Sequence, residues 1–399
     1  MRFRGFLFLA LLLVALNMSV QGVWSARDDV RISCFVMGGA ISPSINPFSA
    51  LCEQDPLFIY SAYPLNPDLP ESQKRKLDRI YFPRTRQVLI DSYDFFMFWD
   101  ARIQHLKSRQ LSDLDHAFRE AGIGSATVHG PSWEHAWTIS TLYELSPVSD
   151  FQIRFYDPWR VSFRREREEV FTPFADLGME RVIGGAYGIM EPKGGSTVWA
   201  DMRPQDVPWL TSWKVGSDGG VQWVFADKSD VDWWGLSLGS RGNNPYAIDL
   251  VANLLLYSLD RPLIGDILAR REARSLLSTF QARKLLILTM LEWAERFGAD
   301  ITSLADRLTE VEDGTQDAVE SFLERDYGST ITFMDSLSPT VSRIGQMASD
   351  LKDQALFWVY LVEWLAVTSV SILSASILWT LMVRRRIYHA ASQTRLTRI

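Results

Sequence analysis

Cysteine is almost absent from these 399 residues: Cys34 and Cys52 are the only two. Their separation is far from Cys-x-x-Cys, which excludes a thioredoxin-type redox motif. In an oxidising compartment the pair suits a single disulfide; two separately buried thiols are the alternative. Histidine is nearly as scarce, with five in the chain and none between His135 and His389. The one dense grouping of nucleophile, base and acid types is therefore His129, Ser132, Glu134 and His135. A basic stripe is missing too, since the net charge of -7 is a modest acidic excess spread along the chain. With neither a zinc-knuckle nor a recognition-helix pattern, nucleic acid is not an expected partner. No sustained heptad and no internal repeat is present, so neither a coiled coil nor a solenoid is indicated.

What the chain does have is two apolar ends. Basic Met1-Arg2-Phe3-Arg4, the apolar run Phe6 to Leu16 and small residues at Gly22, Ser25 and Ala26 form the three-part layout of a secretory signal, residues 1–25. An uncleaved anchor is the alternative. Trp364 to Val383 carries no charge, a length that matches about 30 Å of hydrocarbon as a helix. Phe357, Trp358, Tyr360 and Trp364 crowd one margin and Trp379 sits near the other, as expected of rings that prefer the headgroup level. Arg384-Arg385-Arg386, with Arg395 and Arg398, mark the tail as cytoplasmic. The expected layout is a signal peptide at 1–25, an ectodomain at 27–262 and a helical membrane-proximal stalk at 263–356. A transmembrane helix with its interfacial flank follows at 357–383, then a basic cytoplasmic tail at 384–399. Thr368, Ser369, Ser371, Ser374 and Ser376 recur through the span, where hydroxyls either support helix association in lipid or bond their own helix.

Between the ends, apolar runs alternate with turn and helix signals, which argues for a parallel sheet flanked by helices. Strands are expected at Val30 to Met37, Leu57 to Ala62, Asp94 to Trp99 and Ser125 to His129, with a helix over Leu106 to Ala121. Phe151 to Phe174 reads as extended, and further strands as Ser196 to Asp201 and Val221 to Ala226. Asn244 and Pro245 look like the cap and first residue of a helix running through Leu259. The stalk reads as helices over Leu263 to Phe297, Ile301 to Thr309 and Thr315 to Tyr327, with Gly298 and Asp313-Gly314 as breaks and a last helix starting at Ser338-Pro339.

Tyr93 to Ala101, Leu111 to Gly124, His129-Gly130-Pro131-Ser132-Trp133, Leu145-Ser146-Pro147-Val148, Glu191-Pro192-Lys193, Pro208-Trp209-Leu210, Trp223 to Asp227 and Trp233-Trp234 follow one another in that order. By these landmarks the run from Asp94 to Pro262 resembles the class I glutamine amidotransferase-like superfamily, in particular an exported, membrane-anchored branch. The resemblance implies a flavodoxin-like α/β fold with a site at the carboxyl ends of a largely parallel sheet. It does not carry activity. A glutaminase of this kind needs a cysteine at the turn where Val128-His129-Gly130-Pro131-Ser132 stands, and a later His-x-Glu pair; both are missing.

The turn admits three readings. Ser132 could act as nucleophile with His129 or His135 as base, although the run Gly130 to Glu134 is not Gly-x-Ser-x-Gly. His129, His135 and a carboxylate from Asp100 or Glu134 could bind a metal, although their spacing matches no compact zinc signature. The structural reading makes Ser132 a helix cap, with Glu134 at the positive helix end. Ten tryptophans lie in the ectodomain, and the flanking glycines make Asp232-Trp233-Trp234 a candidate exposed surface for a polyol or peptide. Trp133 and Asp100 join it as ligand candidates, whereas Trp199 and Trp223 read as core. The expected protein is a single-pass, catalytically silent, amidotransferase-like module for binding or assembly, on the exported side of a cell membrane. It calls for no cofactor; its partners are the bilayer and either a protein or a second copy, met through stalk and span. The alternative is an exported hydrolase or metal-dependent enzyme using the His129 to His135 turn.

Overall fold

A run buried at every position but Ser33, Ile-Ser-Cys-Phe-Val-Met-Gly, forms the strand β1 (Ile32–Gly38), and the fully buried Phe-Phe-Met-Phe-Trp forms β3 (Phe95–Trp99). Strands covered on both faces read as continuous apolar segments rather than alternating ones. The computed structural model describes residues 30–39, 41–42, 46–65, 69–128, 135–155, 157–164, 168–185, 187–227, 233–234 and 244–396. The expected signal peptide lies outside them.

In chain order the strands are β1, β2 (Phe58–Pro64), β3, β4 (Gly124–Val128), β5 (Val148–Phe155), β6 (Arg160–Phe163), β7 (Tyr187–Pro192), β8 (Thr197–Arg203), β9 (Val207–Lys214) and β10 (Val221–Phe225). The helices are α1 (Pro47–Gln54), α2 (Glu71–Tyr81), α3 (Arg86–Ser92), α4 (Ser108–Arg119), α5 (His135–Thr138), α6 (Thr141–Leu145), α7 (Ala247–Ser258), α8 (Ile267–Arg296), α9 (Thr302–Leu323) and α10 (Tyr327–Leu396). Eight strands make one α/β sheet in the order β2-β1-β3-β4-β10-β9-β8-β6, and β5 pairs with β7 in a separate ribbon. The sheet is parallel from β2 to β10 and antiparallel from β10 to β6. Register aligns Pro64, Gly38, Trp99, Val128 and Phe225 across the five parallel strands, so all five end on one row.

Contacts divide the chain into two compact units, Met1–Ser275 with Ser321–Gly328, and Leu276–Glu320 with Ser329–Ile399. The division falls inside α8. The opening of α8 belongs to the α/β unit because Arg270 and Arg274 reach into it: Arg270 bonds Asp55 and Asp249, and Arg274 makes two 2.9 Å bonds to Asp249. Arg270 is 1% exposed. Burial alone would favour losing its proton, but Asp55 and Asp249 outweigh that and raise its affinity for the proton.

Several expected boundaries move. Phe151 to Phe174 is extended only in part, since Thr172–Leu177 is a 3₁₀ turn. Asn244 does accept from the Tyr246 N–H at 3.0 Å, but α7 begins at Ala247, later than Pro245. No break occurs at Asp313-Gly314, because α9 runs through it. Its glycine lets Leu337 approach, within 3.3 Å of where a Cβ would lie, so the local cost of about 1 kcal/mol is exchanged for close helix packing. The last helix starts at Tyr327, not Ser338, with Pro339 in its interior. That costs about 3 kcal/mol locally, which Met334, Val341 and Ile344, buried on either side of it, offset. Gly298 does end α8: at φ 89 it closes a Schellman turn, with Gly298 N–H on Glu295 O at 2.8 Å and Ala299 N–H on Ala294 O at 3.1 Å.

Candidate functional site

The aligned strand ends place one residue from each strand just beyond a common edge, and on β3 that residue is Asp100. Its φ of 46° is left-handed, a conformation that costs most side chains energy and that aspartate tolerates better than most. Two backbone bonds hold it there: Asp100 N–H donates to Val128 O of β4 at 3.1 Å, and Gly39 N–H, following β1, donates to Asp100 O at 3.2 Å. A side chain at position 39 would meet Asp100 O at 3.2 Å and its Oδ2 at 3.6 Å. Glycine there keeps a Cβ from pressing on Asp100. Behind it, the Trp137 indole of α5 donates to Ala101 O at 3.2 Å. The chain turns one way from β1 to β2 and the other way from β3 to β4, so Asp100 and Gly39 flank the point where strand order reverses. A carboxylate held at such a point is an acceptor for ligand hydroxyl or ammonium groups.

Beneath this edge lies an aromatic layer. Phe48 of α1 meets Trp99 at 6.0 Å and Trp234 at 6.1 Å between ring centroids, and Trp233 meets Trp209 at 4.8 Å and Trp159 at 6.1 Å. Trp233 is 0% exposed and Trp234 is buried. The expectation of an exposed Trp233-Trp234 surface is therefore corrected: each indole buries a large apolar area against other rings, and the neighbouring glycines say nothing of that. The Trp234 N–H donates to Asp227 Oδ2, at the end of β10. Trp159 lies so close to Gly184 that a Cβ there would be 2.2 Å from the ring. Among the described residues, neither the Trp209 nor the Trp233 indole N–H has an acceptor. Trp199 and Trp223 are core residues, donating to Ser212 and Ser258 at 2.7 Å each.

Of the other candidates, His129, Ser132, Trp133, Glu134 and Asp232 lie outside the described residues. His135 opens α5, and its side chain lies outside them as well. Cys34 and Cys52 are both buried and free, so the expected disulfide is not formed. Burial first, then Cys52 and Asp94, pushes the Cys34 thiol well above its ordinary value. Among the described residues no group of three or more His, Cys, Asp or Glu could hold a metal ion. Reading the sequence missed the Asp55, Asp249, Arg270 and Arg274 cluster. The available signal was spacing: Arg270 and Arg274 fall on the same α8 face as Ile267, Ala273 and Leu277.

No protein-family model matches the chain, and no curated protein matches it. Among solved structures it is similar to the cytoplasmic protein STM3548 from Salmonella typhimurium, at 14% identity and a TM-score of 0.43, over 57% of this chain and 98% of that one. The cytoplasmic protein STM1381 from Salmonella typhimurium LT2 is similar at 14% identity and 0.42, over 57% and 99%. SMU.1228c is similar at 12% and 0.32, over 57% and 97%.

Proposed function

We propose that this is a single-pass membrane protein whose amidotransferase-like α/β unit binds a ligand or partner on the exported side and does not hydrolyse glutamine. Asp100 carries the binding reading: it stands just past the parallel strand ends where the strand order reverses, held there by its N–H on Val128 O and by the Gly39 N–H on its own O. The order β2-β1-β3-β4-β10 supports the flavodoxin-like assignment, in which ligands sit outside the strand ends where the order reverses. Catalytic silence rests on the residues after β4, where His129-Gly130-Pro131-Ser132 offers no thiol.

Membrane anchoring is supported by α10. It is the one described helix long and apolar enough to cross a membrane, and none of its apolar window is buried. So large a bare apolar surface would be unfavourable in water. The arginines from Arg384 onward support a cytoplasmic far end by the positive-inside rule.

The full-length protein is tested in bilayer discs against a panel of small polyols, amines and peptides by thermal shift, beside Asp100→Asn, which keeps the backbone preference and removes the charge. A stabilising compound whose effect disappears in Asp100→Asn supports the reading. Ammonia release from glutamine that needs native protein, or a panel response unchanged by Asp100→Asn, overturns it.

A further inference from the structure

The helical unit fixes the level at which it ends. Ile287 of α8 packs on Gly345 of α10, its Cδ1 lying 3.7 Å from where a Cβ would be. Helices α9 and α10 run antiparallel, with partners stepping from Ala318 and Thr330 (3.3 Å) through Gly314 and Leu337 to Arg307 and Met347 (3.9 Å). Following α8 and α10 for a further ten residues or so, about 15 Å at the helical rise, brings Phe297 level with Ala355. Extending α9 in its own register brings Asp300 to the same level. Ala355 is 6% exposed, whereas Phe357, Trp358 and Tyr360 just after it are bare. The three-helix packing therefore ends where the aromatic margin of the apolar segment begins.

At that end α8 carries a paired aromatic surface. Trp293 and Phe297 lie 4.4 Å apart between centroids, and Phe297 is 43% exposed. The Gly298 turn that follows projects them on a tight tip, and Asp300 restarts the chain by accepting from the Thr302 N–H at 3.0 Å and its hydroxyl at 2.7 Å.

We propose that the α8–α9 tip, led by Trp293 and Phe297, rests in the lipid headgroup layer beside the span, giving the protein a second contact with the bilayer. This rests on the membrane-anchored reading above. Aromatic rings prefer the interface because a flat apolar body and a polar edge are both accommodated there. From Leu356 to Val383 the one charge is Glu363, so with the hydrocarbon edge near Tyr360 the polar layer, about 5–7 Å deep on each side, extends to the level of Phe357 and of the ring pair. A tip so placed would restrain the tilt of the helical unit on the membrane.

The test places a bimane label at Phe297→Cys, Leu286→Cys or Ser371→Cys in the full-length protein in phosphatidylcholine vesicles; native Cys34 and Cys52 are buried. Leu286 is exposed on the same helix, about 16 Å nearer its start. A headgroup nitroxide lipid should quench the label at 297 severalfold more than that at 286, at every protein-to-lipid ratio. A second label at Ala299 covers the case in which removing Phe297 disturbs the helix end. Equal quenching at 286 and at both tip positions overturns the proposal. So does shielding of the tip that appears only at high protein density, which would assign the face to a second copy of the chain. If an acyl-chain nitroxide fails to quench the label at 371, the membrane-anchored reading itself has failed; quenching there with a water-exposed tip sinks the tip proposal alone.

Discussion

Two helices of this chain are apolar on nearly every side and have opposite surroundings. Helix α7 is buried along almost its whole length in the α/β unit, while the apolar window of α10 is buried by none of the described residues. Their polar residues differ accordingly. In α7, Asp249 is met by Arg270 and Arg274 and Asn253 bonds both backbone groups of Ile264, all from other segments. In α10, Thr368, Ser369, Ser371, Ser376 and Thr380 each bond the carbonyl four residues earlier on their own helix. A helix surrounded by protein can satisfy polar groups through tertiary partners; one surrounded by lipid must satisfy them internally or meet a second helix.

The largest expected effect comes from breaking the α7 arrangement. Asp249→Ala leaves Arg270 and Arg274 buried with Asp55 as their one remaining carboxylate, 3.8 Å from Arg274. An uncompensated buried charge costs about 3–5 kcal/mol, read as a lower midpoint when the full chain is unfolded by urea in detergent. The double variant Asp249→Leu with Arg274→Leu recovers part of that loss. An unchanged midpoint in the single variant would mean that water reaches the cluster.

The comparison sharpens on the α10 side with Leu373→Arg. An arginine near the middle of a span disfavours insertion by about 2.5–3.5 kcal/mol, so the fraction of chain resisting alkaline extraction from membranes should fall steeply. A Leu373→Arg chain that stays membrane-bound would point to an anchor other than this segment. Next in size is Asn253→Ala, which strands the buried Ile264 N–H and C=O that Asn253 meets at 2.8 and 3.2 Å. The loss is about 1–3 kcal/mol in the same urea titration; a smaller one would mean that the loop after α7 rearranges to satisfy itself.

This contrast also explains what could be read from the residues beforehand. The parallel strands β1, β3 and β10 were visible because burial on both faces leaves runs that are apolar at most positions; β4, Gly-Ser-Ala-Thr-Val, is the least apolar of the four. Helix α2 was not, because it buries none of its residues and carries no core-facing stripe to find. Strand β9 was missed as an element, since Pro208 and its mixed polarity hide it until β8 and β10 are placed on either side. Gly314 was misread as a break and Pro339 as a helix start because propensity is local, whereas the packing that keeps both helices continuous comes from distant residues. At the candidate site, Asp100 was legible as an acidic residue closing a strand. Its left-handed backbone and the glycine opposite it depend on strand pairing, which no spacing encodes.

The smallest expected effect is the most discriminating about the span. Ser371 donates to Val367 O at 2.8 Å, a carbonyl already placed to accept the backbone N–H of the same turn, so the hydroxyl bond is an addition to a ladder that stands without it. Ser371→Ala should therefore change self-association by less than about 0.5 kcal/mol, measured by energy transfer between labelled chains diluted in vesicles. A hydroxyl that bridges two spans would contribute more, about 1–2 kcal/mol in model helices. A clear loss of energy transfer in Ser371→Ala would thus place a second copy against this face and make the span, like α7, a helix whose polar groups are met from outside.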